Sequence, residues 1–192
     1  MVACAHPDPS SDAQIEVRPG DTLETISVRR YGHQAYRHVI SVFNHLGPPE
    51  SLQVGVRLRT PDLQDALLAE CADPSLAPAI EAICCARAKF ASVGPSLHQL
   101  TSDYRQRPVV LPDEVADVLR DAHADVERAI TCLKAAEHPP RRVVARLEEV
   151  SFSLFGFTRG DFDAYGYDTD LVDRRLAAAM SNLIVWARRG YQ

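Results

Sequence analysis

Residues 15–61 constrain the fold most, because two short alternating stretches bracket two short helical patterns with turn residues at each joint. Ile15-Glu16-Val17-Arg18 alternates apolar and polar side chains, and Pro19-Gly20 breaks the run. Asp21 or Thr22 then caps a helix whose apolar positions are Leu23, Ile26, Val28 and Tyr31, with Gly32 ending it in a left-handed conformation. Tyr36, Val39, Ile40 and Phe43 recur at helical spacing until Asn44 and Gly47-Pro48-Pro49. Leu52 leads through Gly55 to a closing strand, Arg57-Leu58-Arg59-Thr60, with Leu58 inward, the arginines outward and Pro61 as its stop. The order predicts a compact βααβ unit, an α+β fold.

The opening Val17-Arg18-Pro19-Gly20-Asp21-Thr22-Leu23 and the closing Leu52, Gly55, Leu58 and Pro61 resemble the lysin motif (LysM) family over the full length of this unit. Tyr31-Gly32, residues 36–40 and Asn44 are similar to the longer variant found in phage-tail, contractile-injection and envelope proteins. Arg37 stands where that variant often carries tryptophan, Val54 replaces a proline and Thr60 an aliphatic residue. The resemblance implies non-catalytic binding of N-acetylglucosamine-containing polymers, peptidoglycan or chitin-like, in a groove between two loops. Here those loops are Gly20, Asp21, Thr22 and Leu23, and Asn44, His45, Leu46 and Gly47. Backbone amides and carbonyls in tight loops can bond an acetamido group while Leu23 and Leu46 cover its methyl. Each residue also has a structural reading: Asp21 and Thr22 as caps, Asn44 as a helix end, Leu23 as core.

A chain of 192 residues has room for this unit and one further domain. The expected division is a tail over 1–13, the LysM-like domain over 14–61 and an all-α helical bundle over 62–192. The formal charge is −5, and residues 1–61 balance six acids against six bases, so the excess lies beyond them. That balance offers no footprint for nucleic acid. No apolar run approaches the roughly 20 residues of a membrane span. Residues 1–13 have neither a basic start nor the apolar region of a signal peptide, which points to a cytoplasmic protein or one delivered to an envelope or particle by another route. Cys4, Cys71, Cys84, Cys85 and Cys132 are odd in number and lack zinc-type spacing, and reduced thiols fit that pattern. His33, His38 and His45 do not have a spacing that demands a metal, so no cofactor is expected.

Beyond Pro61, Asp62 to Leu68 reads as a connecting helix. Leu76, Ile80, Ile83, Cys84 and Phe90 make a helix broken at Gly94-Pro95, and Leu97, Leu100 and Tyr104 a further turn or two until Pro108. Val115, Leu119, Ala122, Val126, Ala129 and Leu133 step by fours and threes after Pro112, a seam suited to antiparallel packing. Val143, Leu147, Val150 and Leu154 form the next helix, and Asp170 caps one carrying Val172, Leu176, Met180, Leu183 and Trp186. Four principal helices suggest a bundle.

No phosphate loop, nucleophile elbow or di-iron motif is present. The acidic loop 161–170 lacks the glutamate that would close a calcium site, since Val172 stands there. The aromatic-rich stretch 152–167 reads as a lid on the bundle or a docking surface for a protein. The sequence thus predicts a non-enzymatic glycan-binding unit joined to a helical protein-interaction domain. The competing expectation is a structural adaptor of a phage-tail or injection-type assembly, with the LysM-like unit making protein contacts.

Overall fold

The computed structural model describes residues 13–47, 52–71, 73–102, 110–159 and 169–188. It is mostly helical, with a small two-stranded antiparallel sheet. Two compact units divide the chain: Met1–Ala72 with Ser181–Gln192, and Asp73–Met180. The expected breaks at Pro48-Pro49 and Pro108, residue Cys4 and the acidic stretch 161–168 lie outside the described residues.

The first unit opens on β1 (Gln14–Glu16) and α1 (Leu23–Tyr31). A single 3-10 turn over Gln34–Tyr36 leads into α2 (Arg37–Phe43), followed by β2 (Arg57–Arg59) and α3 (Leu63–Glu70). β1 and β2 pair antiparallel with Ile15 opposite Leu58, which turns Leu58 into the core and leaves Arg57 and Arg59 exposed. Pairing continues past the strands, where Val17 exchanges bonds with Val56 and Gly55. Gly55 supports that turn with φ 84°, a conformation costly for a residue bearing a Cβ.

α1 starts where Thr22 and Thr25 satisfy each other's backbone N–H groups, a reciprocal cap, and it stops at Gly32 with φ 79°. Its buried face is Leu23, Ile26, Ser27 and Tyr31. The expectation that Val28 shares this face is corrected: Val28 is 50 % exposed, because a step of two from Ile26 turns about 200° round a helix. Ser27 takes the inward position and donates to the His33 carbonyl at 2.6 Å. Tyr31 is buried edge-on to Tyr36, and its hydroxyl donates to the Pro61 carbonyl at 2.8 Å. Burial holds that phenol well above the usual tyrosine range.

Ala13, expected in the tail, is built into this unit: its carbonyl accepts from both the N–H and the hydroxyl of Thr60 at 2.7 Å. Thr60 is fully buried where an aliphatic residue would also fit, and this bond satisfies its hydroxyl. Leu63, Ala66 and Leu67 of α3 are buried. So is Ser181, whose hydroxyl donates to the Ala35 carbonyl at 2.7 Å. The first unit therefore extends beyond 14–61.

The second unit holds α4 (Ala77–Ser102), α5 (Asp113–Ala135), α6 (Arg141–Thr158) and most of α7 (Thr169–Arg188). α5 is central, packed on both α4 and α6. Its buried face contains Leu119, Ala122, Val126, Ala129 and Leu133 as expected, whereas Val115 is only half-buried and Ala116 lies inward instead. Asp125 is also buried there, held by Lys89 at 2.7 Å and Arg128 at 2.9 Å. Partial burial works against the Lys89 ammonium, but its bond to Asp125 and the charges nearby outweigh that and raise its pKa.

The helix expected to break at Gly94-Pro95 continues through both residues. Pro95 has no N–H for the preceding turn, at a cost of about 3 kcal/mol in a helix interior. Phe90, Val93 and Leu97 are buried on either side of it. Each such side chain recovers roughly 1.5–3 kcal/mol, so packing overrides the local preference. The aromatic stretch also differs from a lid at its start, since residues 152–158 are the end of α6, with Phe157 buried and Phe152 and Phe155 exposed. Among the described residues no helix is long and apolar enough to cross a membrane.

Candidate functional site

The first loop is organised by Asp21. Its N–H donates to the Arg18 carbonyl at 3.0 Å, and its Oδ2 accepts the Arg18 N–H at 2.8 Å, closing a turn around Gly20 at φ 82°. Arg29, one helix length away, reaches the same carboxylate at 3.0 Å. The Arg18 N–H first, and then Arg29, hold the carboxyl below the usual aspartate range. Thr22 is exposed, but its hydroxyl serves the helix cap. Leu23 is 2 % exposed and belongs to the core, which takes it out of reach of a ligand.

Because the folded state favours the Asp21 carboxylate, its stabilisation is present above the ordinary pKa of 3.8 and is lost as pH falls through the lowered value. Asp21→Asn keeps an acceptor for Arg18 and removes the charge facing Arg29. The parent is expected to melt higher than this variant at neutral pH, with the gap narrowing below pH 3.8. A gap that does not change in melts from pH 7 to acid would show that the ion pair contributes nothing.

The second loop is organised by Asn44. Its amide donates to the carbonyls of Ile40 at 2.8 Å and Arg59 at 2.9 Å, while its Oδ1 accepts the Arg59 N–H at 2.8 Å. Asn44 thus pairs with β2 as a neighbouring strand would and links the end of α2 to it. His45 follows at φ 53°, left-handed and exposed, then half-buried Leu46 and exposed Gly47. The Leu46 N–H donates to the Ser41 carbonyl at 3.0 Å, which fixes the loop backbone.

The hydrogen bonds of the two loops run to different anchors. Asn44 holds Arg59, opposite Gln14, whereas the first loop leaves the ladder from the Glu16 end. Of the eight residues, Gly20, Thr22, His45 and Gly47 are exposed, Asp21, Asn44 and Leu46 are half-buried and Leu23 is buried. Arg37 pairs with Glu24, whose carboxyl is held low by its own backbone N–H first and then by Arg37. His33 accepts the Ala35 N–H through Nδ1 at 3.1 Å, which accounts for it as a cap.

The second unit contains a polar cluster that sequence reasoning missed. Ser151 on α6 is 3.0 Å through its Oγ from His123 Nε2 on α5, and it donates to Glu127 Oε1. Its sequence signal was the four-residue spacing of His123 and Glu127, which puts both on one helix face. The third member is 24 residues further on and comes into reach only because α5 packs on α6. Glu127 binds the hydroxyl rather than the far side of the imidazole, unlike the relay in which a carboxylate orients a histidine base. Among the described residues, no three His, Cys, Asp or Glu side chains converge to hold a metal ion.

No protein-family model, curated protein or solved structure matches this chain.

Proposed function

We propose that residues 14–61 form a LysM-like βααβ domain that binds N-acetylglucosamine-containing glycan without catalysis, and that the helical unit engages a protein partner. One observation supports the glycan reading above the rest: Asp21 and Asn44 use their own polar atoms to fix the two loops, while Gly20, His45 and Gly47 remain exposed. The N–H groups of Asp21, Thr22, Asn44, His45 and Leu46 are engaged within the fold, so an acetamido sugar would bond loop carbonyls and the backbone of Gly20 and Gly47, with little ordering cost. In this reading Asp21, Asn44 and Leu23 are supports. Contact comes from Gly20, Thr22, His45, Leu46 and Gly47.

Leu46→Asp is the probe of choice, since it alters a half-buried side chain and leaves the backbone bond to Ser41 available. The unmodified protein should sediment with insoluble peptidoglycan or chitin and give heat in calorimetry with soluble fragments. Leu46→Asp should weaken both while the fold, read by circular dichroism, is retained. No heat and no sedimentation for the unmodified protein would reject the glycan reading.

The second reading, an adaptor in a phage-tail or injection-type assembly, draws on Phe152 and Phe155, which are 56 % and 48 % exposed on α6. Large aromatic side chains are common anchors of protein interfaces. Loss of partner capture in Phe155→Ser, with glycan binding absent, would favour it.

A further inference from the structure

His123, Glu127 and Ser151 present three donor atoms to one small volume at the junction of α5 and α6. Nε2 of His123 is 3.0 Å from Ser151 Oγ and 3.9 Å from Glu127 Oε1, and the hydroxyl bonds the same carboxylate oxygen. Donors bound tetrahedrally to zinc at about 2.0–2.1 Å lie about 3.3 Å from one another. The separations straddle that value, so side-chain adjustments alone would bring the three atoms around one ion.

The surroundings also fit a cation. Among the described residues no lysine or arginine pairs with Glu127, and the two arginines of α5 bind other carboxylates, Arg128 that of Asp125 and Arg120 that of Asp117. Its partners are an imidazole and a neutral hydroxyl, neither of which brings a fixed positive charge. The side chains of His123 and Glu127 are 27 % and 52 % exposed, so an ion can enter and water can complete its coordination. The Phe155 ring, 5.9 Å from the imidazole, packs beside it and limits its rotation. The backbone is settled before any ion arrives, since Leu119, Val126 and Ala129 of α5 and Leu147, Val150 and Leu154 of α6 are all buried.

We propose that His123 and Glu127, with the Ser151 hydroxyl as a third donor, form an open binding site for a divalent cation of the zinc class. An imidazole and a carboxylate one helical turn apart suit that ion, and the hydroxyl holds the carboxylate in place when it is not itself bound. Two strong ligands and a weak one make this an exchangeable site, not a structural closed one.

The test uses the full chain and zinc itself. Calorimetry should find a zinc equivalent that disappears in His123→Ala and weakens at least about tenfold in Glu127→Gln, with Ser151→Ala weakened by about the same factor or less. Glu127→Gln keeps an acceptor for Ser151 on an exposed side chain, so its metal-free melting temperature should match that of the parent. Zinc should also shift the Nε2 resonance of His123 in nitrogen-detected NMR spectra, a readout that binding at cysteines or other histidines leaves unmoved. Zinc binding unchanged in both ligand variants, an unmoved His123 resonance at saturating zinc, or no zinc bound by the parent would each overturn the proposal.

Discussion

Leu119→Ala and Leu133→Ala are each expected to lower the free energy of unfolding by about 2–5 kcal/mol, read as a fall in the urea midpoint. Both leucines are fully buried on α5, which packs on both α4 and α6. A void left in a packed helix face collapses only in part, and the lost contacts add to the lost transfer energy. Val126→Ala, at an equally buried position, should cost less because fewer carbons are removed. Val115→Ala supplies the contrast: only half-buried, it should cost less than about 1 kcal/mol. Losses at both leucines within the 10–15 % uncertainty of such titrations, roughly, would show that this face is not the core of the second unit.

The α5 face was legible because its apolar residues follow the helical period for five turns and a proline marks each side. Gly32 was legible for a related reason, as a left-handed helix stop favours glycine, while the cap was legible only as Asp21 or Thr22 and falls to Thr22. What escaped were positions decided by distant packing. Pro95 reads locally as a stop, and only the burial of Val93 and Leu97 beside it explains a helix that continues. Ser27 reads as a polar surface residue until the His33 carbonyl is placed above it. Ala13 has no local signal at all, because what holds it is Thr60, 47 residues away. In the candidate glycan site, sequence reasoning left Asp21, Asn44 and Leu23 each with two readings, and the structural duties of all three are now visible. The exposed remainder, Gly20, Thr22, His45 and Gly47, was named from the resemblance, and their exposure leaves them available.

Asn44 offers the sharpest single-residue test of the first unit, and replacing it is expected to cost about 2 kcal/mol as Asn44→Ala and more as Asn44→Asp. Three hydrogen bonds are lost in the alanine variant, each worth about 1 kcal/mol, less what water recovers at a half-buried position. Aspartate retains an acceptor for the Arg59 N–H but replaces the two donated bonds by a carboxylate oxygen facing the carbonyls of Ile40 and Arg59. Like partial charges then meet at hydrogen-bond distance, so the near-isosteric change is the worse one at neutral pH. Acidification should reverse part of that loss, because a protonated carboxyl donates one bond again. An Asn44→Asp variant as stable as the parent, in thermal melts at neutral pH, would mean that the link between α2 and β2 is absent in solution. The same commitment of polar atoms bears on the glycan proposal. With both amide hydrogens and the carbonyl oxygen engaged by the protein, Asn44 holds the second loop in position, and lost glycan binding in an Asn44 variant would report a displaced loop. Contact with sugar has to be sought at Leu46 and His45, whose side chains can change without loosening α2 from the sheet.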